Sequence, residues 1–293
     1  MRFPARYPRG APEGPPVAIV TGAASGIGAA IAARLVRQGC AVTLVDVDAR
    51  ALQRTATVLG APASVLDVAD AAALPPLFRD VRERHGRLDY VVNNAGIFVA
   101  GRAETLADEH WDRTLAVNLR GAVHGTRAAY PIMAAQGHGH IVNIASMAGL
   151  VPVPFMLPYA TAKHAVVGLS LALRAEAARH GVRVSAVCPG FVDSPMLGRA
   201  NAGLPRTGME DGWPGIARRF QFGPYPVDRL AADILAGIAR NRAVIVAPAR
   251  VKLLWQLYRL APVWTARALA GSHHLMPTGG PREHVTPSAG RAR

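Results

Sequence analysis

The chain has 293 residues, 51% of them hydrophobic, which is enough to bury one large core in one or two domains and excludes a disordered or fibrous polymer. The two cysteines, Cys40 and Cys188, lie in apolar stretches and make neither a disulfide framework nor a zinc site, so both are expected as buried thiols in a reducing compartment. The formal net charge of +14 raises nucleic acid or an anionic surface as partners, yet 31 of the 33 basic residues are Arg and none of them forms a basic run with interleaved aromatics, so no nucleic-acid partner is expected.

Residues 1–16 hold five prolines and three arginines and read as a flexible extension without a secretory signal. From Val17 the texture alternates between strand and helix. Val17–Thr21, Ala41–Asp46, Ser64–Val68, Leu88–Asn93, His140–Ala145, Val182–Cys188 and Ala243–Ala247 predict seven strands. Ile27–Gln38, Leu74–His85, Leu106–Met133 and Tyr159–His180 predict helices between them. Such alternation implies right-handed crossovers, and the near-continuous apolar strands imply a parallel sheet covered on both faces. Residues 192–224 are rich in Gly, Pro and Arg and too long for a connector, which suggests a substrate loop or lid. The catalytic domain is therefore expected over 17–249, with an apolar and basic helical segment from Arg250 to Ala270 and a poorly ordered tail after it. No apolar run is long enough for a confident membrane span.

The first chemical signal is Thr21-Gly22-Ala23-Ala24-Ser25-Gly26-Ile27-Gly28, placed between the first strand and the first helix. Glycine lets the backbone approach a pyrophosphate, and the helix N-terminus offers free N–H groups to that anion. Asp46 ends the second strand, where a carboxylate accepts the ribose hydroxyls of an adenosine and repels a 2′-phosphate. Neither Ser25 nor Val47 offers a cation to such a phosphate, so NAD is favoured over NADP.

The second signal is Tyr159-Ala-Thr-Ala-Lys163, whose spacing of four puts phenol and ammonium on one helical face. A free phenol titrates near pH 10, and an adjacent ammonium lowers that value toward the range of a useful base. Lysine is otherwise nearly absent from this chain, so its presence here stands out. Ser146 closes the fifth strand, at the carboxyl edge where open parallel sheets hold their active sites, and its hydroxyl can hold a substrate oxygen.

With the cradle, Ser146 and the Tyr159/Lys163 pair in this order, the chain resembles the short-chain dehydrogenase/reductase family over roughly residues 17–247. The resemblance implies a doubly wound Rossmann-type α/β fold and interconversion of a secondary alcohol and a ketone by hydride transfer to or from NAD(P). It implies Asn118, Ser146, Tyr159 and Lys163 as the catalytic set, with Asn118 supporting a water-linked proton relay to the lysine. For the cofactor it implies Gly22, Ser25, Gly26, Ile27 and Gly28, then Asp46, Asp67 and Val68 around the adenosine. Asn94, Ala95 and Gly96 follow the fourth strand, and Tyr159 and Lys163 join them. Pro189, Gly190, Val192 and Ser194 complete the set beside the nicotinamide, with Ser194 where the family usually has Thr. It also implies a homodimer or homotetramer paired through the long helices, a cytoplasmic setting and no metal.

Residues 250–293 carry a net charge of +6. Within them Val251, Leu254, Trp255 and Tyr258 recur at helical spacing, and Leu257, Leu260 and Trp264 widen the apolar face. Such a segment can pack on its own or a neighbouring subunit, wall the substrate pocket, or lie on a membrane surface. All three favour a hydrophobic substrate. The competing readings are a dinucleotide-binding protein without turnover and a membrane-surface or nucleic-acid-binding protein driven by the basic tail.

Overall fold

The computed structural model describes residues 14–271. Most of the expected N-terminal extension and the tail beyond Gly271 lie outside the described residues.

The elements in chain order are β1 (Val17–Thr21), α1 (Gly26–Arg37), β2 (Ala41–Asp46), α2 (Ala49–Leu59), β3 (Ala63–Val65), α3 (Leu74–His85) and β4 (Tyr90–Asn93). After these come α4 (Asp108–Thr114), α5 (Gly121–Gln136), β5 (Gly139–Ile144), α6 (Leu157–Ala177), β6 (Val182–Pro189), β7 (Val192–Asp193) and α7 (Trp213–Gln221). The last are β8 (Tyr225–Pro226), α8 (Val227–Ala239), β9 (Val244–Ala247), α9 (Ala249–Leu260) and α10 (Pro262–Gly271).

The seven long strands form one wholly parallel sheet in the order β3-β2-β1-β4-β5-β6-β9. The order reverses between β1 and β4, and this is where a doubly wound sheet opens a crevice at its carboxyl edge. Alternation along β1 shows why both faces must be covered. Ala18 and Val20 pack with Ile31 and Leu35 of α1, Leu52 of α2 and Ile234 of α8. Val17 and Ile19 pack on the opposite face with Phe78 of α3 and Met133 of α5.

Three segments differ from the expected ones. The helix expected over 106–133 is divided: α4 ends at Thr114, a π-helical turn runs through Leu115–Arg120, and α5 continues from Gly121. An extra residue in the turn leaves the apolar period nearly intact, so the sequence does not reveal it. The third strand stops at Val65, leaving Asp67 and Val68 in the loop that follows it. The 192–224 stretch is only partly a loop, because β7 pairs with β8 and α7 lies between them.

His140 on β5 is a buried polar group that depends on staying neutral. Its Nε2 meets Ser185 Oγ at 2.8 Å, and that hydroxyl donates to the Arg242 carbonyl at 2.6 Å. Burial, with smaller contributions from Arg183 and Arg174, lowers its pKa from 6.5 to about 3. The unfolded chain therefore binds a proton that the folded chain refuses, and stability falls as pH drops from about 6.5 toward 3. In urea titrations His140→Gln is expected to flatten the loss of stability between those limits, by up to about 1.4 kcal/mol per pH unit. An unchanged slope would assign the acid sensitivity to other groups.

Candidate active site

The carboxyl edge gathers the sequence-predicted residues from five strands. At the end of β1, Gly22 and Gly26 have φ of +64° and +55°, values that an L side chain rarely adopts. A Cβ on Gly22 would also stand 2.7 Å from Asn94 Nδ2, and one on Gly28 would strike the Gly22 carbonyl. The turn can therefore pass tightly under the start of α1 only with glycine. Ser25 is the N-cap of α1, yet its side chain makes no capping hydrogen bond. The first turn thus keeps the electropositive end that suits a pyrophosphate.

The end of β4 is laced to this turn. Asn94 Nδ2 donates to the Thr21 and Gly22 carbonyls at 3.0 and 3.1 Å, and the Asn94 and Ala95 amides donate to Thr21 Oγ1. At the end of β2, Asp46 accepts from the Ala24 amide through Oδ2 and from the Asp48 amide through Oδ1, each at 3.0 Å. These bonds fix a half-buried carboxylate beside the cradle. Asp67 accepts from the Ala69 amide and pairs loosely with Arg113 at 3.3 Å. Val68 is buried beside it, where His124 meets its carbonyl. Glycine turn, helix N-terminus and Asp46 together fit a dinucleotide's pyrophosphate and adenosine ribose.

The candidate catalytic side chains stand across the crevice. Ser146 follows β5 as the cap of a 3-10 turn, and its Oγ accepts from the Ala148 amide at 3.1 Å. Tyr159 and Lys163 sit on the first turns of α6. Burial pushes the Tyr159 phenol up from 10.0, outweighing the neighbouring Ser146 side chain, which favours the phenolate. Lys163 is 4% exposed, donates to the Ile144 carbonyl at 2.9 Å and lies 5.6 Å from the Tyr159 ring centre. Burial lowers its pKa to about 8. The Cys188 thiol, pushed up to about 12 by burial, adds no charge at neutral pH.

Asn118 lies in the π-helical turn. Its Oδ1 accepts from the Ile97 amide at 2.7 Å and its Nδ2 donates to the Ile97 carbonyl at 2.9 Å. A Cβ on Gly96 would be 3.0 Å from Asn118 Oδ1 and 3.6 Å from Lys163 Nζ, so both side chains converge on the chain just after β4.

Ser146, Tyr159 and Lys163 open onto a cleft of about 180 Å³, together with Ile27, Asn94, Pro189, Gly190, Val192 and Ser194. Its far side is apolar, formed by Val151, Val153, Met156, Met196 and Leu197 among others.

The short chain dehydrogenase family profile matches residues 16–205. The chain belongs to the short-chain dehydrogenase/reductase family. It is 36% identical over 252 residues to "Probable oxidoreductase EphD" of Mycobacterium tuberculosis (strain ATCC 25618 / H37Rv), covering 83% of this chain but only 43% of that longer protein. Among solved structures it is similar to a short-chain dehydrogenase/reductase from Burkholderia phymatum in complex with NAD, with 32% identity and TM-score 0.72 over 84% of this chain and 95% of the other. It is likewise similar to a single-residue variant of actinorhodin polyketide ketoreductase with NADPH, with 34% identity and TM-score 0.71 over 80% of this chain and 95% of that one. Of these two solved relatives, the first holds NAD and the second NADPH.

Several residues that shape this family member's cleft carry little signal in the sequence. Phe98 meets Tyr159 edge-on at 5.4 Å and Trp213 of α7 edge-on at 5.0 Å, so one aromatic ring links α7 to the tyrosine. Gln221 is 2% exposed and clamps Phe191 through both main-chain atoms, at 2.9 Å to the amide and 2.6 Å to the carbonyl. Asn201 likewise holds both main-chain groups of Ala100, at 2.9 and 2.7 Å, and donates to Thr207. These clamps are unreadable from local pattern because each partner is remote in sequence. Val251 and Leu254 of α9 also line the cleft, so α9 walls the pocket.

Proposed function

We propose that the chain interconverts a hydrophobic secondary alcohol and its ketone, with NAD as the preferred dinucleotide. The observation that carries this reading is that Ser146, Tyr159 and Lys163 line one largely apolar cleft, with the Lys163 ammonium 5.6 Å from the Tyr159 ring centre.

The dinucleotide supplies or accepts the hydride when bound. Gly22, Ser25, Gly26, Ile27 and Gly28 would hold its pyrophosphate, Asp46 its ribose, and Asp67 and Val68 its adenine. Asn94, Ala95, Gly96, Pro189, Gly190, Val192 and Ser194 would flank its nicotinamide half. Ser146 Oγ orients the substrate oxygen. Tyr159 takes the alcohol proton in oxidation and returns it to the carbonyl oxygen in reduction. The Lys163 ammonium stabilises the phenolate. Asn118, anchored on Ile97, positions the path by which that proton is exchanged with solvent. The exposed stripe on α6 (Leu157, Thr161, His164, Gly168 and Leu171) supports pairing of two copies into a homodimer or homotetramer.

The test is a panel of secondary alcohols and ketones, from bulky apolar compounds to polyols, assayed with both dinucleotides. Apolar compounds with NAD are expected to give the highest kcat/KM. Absence of turnover across the panel with both dinucleotides would overturn the reading in favour of a silent dinucleotide-binding protein. Asp46→Ser is expected to shift the NADP/NAD ratio of kcat/KM by roughly a hundredfold toward NADP, because a carboxylate repels the 2′-phosphate. A ratio unchanged in that variant would remove Asp46 from cofactor choice.

A further inference from the structure

The α9–α10 segment has two faces with different tasks. Val251 and Leu254 point inward and wall the cleft, and Trp255 and Tyr258 are partly buried on the same stripe. On the outward stripe of α9, Leu253, Leu257 and Leu260 recur at helical spacing and stand in solvent, with Leu260 85% exposed. Val263 and Trp264 follow on α10, and Trp264 is 73% exposed. Phe222, at the end of α7, is 86% exposed and adjoins this surface through Arg250, whose guanidinium lies 5.7 Å from its ring centre.

Charge decides what such a surface fits. Arg250, Lys252, Arg259 and Arg267 lie within residues 249–271, which contain no Asp or Glu. Arg259 and Arg267 lie over the rings of Trp255 and Trp264 at 5.3 and 5.9 Å, so cations flank exposed apolar groups. Residues 272–293 carry three Arg against Glu283 alone, so their composition offers this face no net opposite charge. A second copy would bring the same four cations against their equivalents. Among the described residues no helix is long and apolar enough to cross a bilayer. Exposed leucines and tryptophan, flanked by cations that make no ion pair among the described residues, match the interfacial zone of an anionic bilayer, where apolar side chains enter the acyl boundary and cations stay with the phosphates.

We propose that the outer face of α9–α10, with Phe222, docks the protein on anionic phospholipid bilayers, with the wall of the catalytic cleft held against the lipid. Docking stands on this surface alone. That it feeds the cleft with lipid-dissolved alcohols or ketones rests on the redox reading above.

The experiment is co-sedimentation of the full-length chain with vesicles of phosphatidylcholine alone, and with about 30 mol % phosphatidylglycerol added. The bound fraction is expected to be at least about fivefold higher on the anionic vesicles, and to fall severalfold near 0.5 M salt, roughly, where the Debye length is only a few ångströms. The Leu257→Ser/Leu260→Ser/Trp264→Ser variant is expected to lose binding while keeping its thermal midpoint and its turnover of a water-soluble alcohol. Binding by neither vesicle, or equal binding by variant and parent, overturns the proposal. So does a parent oligomer that the triple variant dissociates without any vesicle binding, which would assign the face to a second copy. Because sedimentation needs no turnover, an inactive but vesicle-bound protein would refute the redox reading and leave docking intact.

Discussion

Tyr159→Phe is expected to lower kcat by about 10³-fold or more, the scale of a lost general acid–base group, while dinucleotide affinity stays within about twofold. The ring remains, so its edge contact with Phe98, and through it the packing of α7, are kept. Only the hydroxyl, the group proposed to exchange a proton with the substrate oxygen, is removed. Turnover within tenfold of the parent would show that the proton takes another route.

The same pair sets the direction of the pH dependence. Burial holds the Tyr159 phenol above its usual range and Lys163 down to about 8. Below that pH the phenol is protonated and the lysine charged, the state needed to give a proton to a ketone. Reduction is therefore expected to hold steady below about pH 8 and to decline above it as Lys163 loses its charge. Oxidation needs the phenolate and is expected to rise with pH on the acid side.

The sheet and the reactive groups were legible because each is written in local pattern. Apolar runs of five or six residues separated by helical periods define a doubly wound sheet, and β1 and β2 match their expected limits. Tyr159 and Lys163 are one helical turn apart, so their shared face follows from spacing alone. Asn118 could be named only through resemblance. Its setting, a π-helical turn that aims the amide at Ile97, depends on one surplus residue that periodicity does not register. Gln221 and Asn201 were invisible because their partners lie 30 and 101 residues away. For α9 the periodicity gave the amphipathic stripes but not their partners. Which stripe faces the cleft is settled by where β9 delivers the helix, next to Gly190, where a Cβ would stand 2.9 Å from Val251.

At the opposite edge of the sheet a different set of charges holds the fold. Asp89, fully buried just before β4, accepts from the Val17 amide at 2.8 Å and from Arg87 Nε and Nη2 at 2.7 Å each. His138 Nε2 lies 3.4 Å from the same carboxylate. The carboxylate thus ties the first residue of β1 to the start of β4, the central pair of the sheet. Nothing in Arg87-Leu88-Asp89 marks it in sequence, since an Arg and an Asp two apart read as a solvated turn. Asp89→Asn removes the carboxylate that pairs with the buried Arg87 guanidinium, and losing one partner of a buried ion pair costs about 3–5 kcal/mol. For a chain of this size the thermal midpoint is expected to fall by roughly 10 °C. The effect should be confined to stability, with kcat and KM unchanged at a temperature where the variant is folded, because the catalytic groups occupy the far ends of the strands. Arg87→Met combined with Asp89→Leu removes both charges and is expected to recover most of the loss. If Asp89→Asn melts within about 2 °C of the parent, the cluster contributes little and the central strands are held by their apolar packing alone.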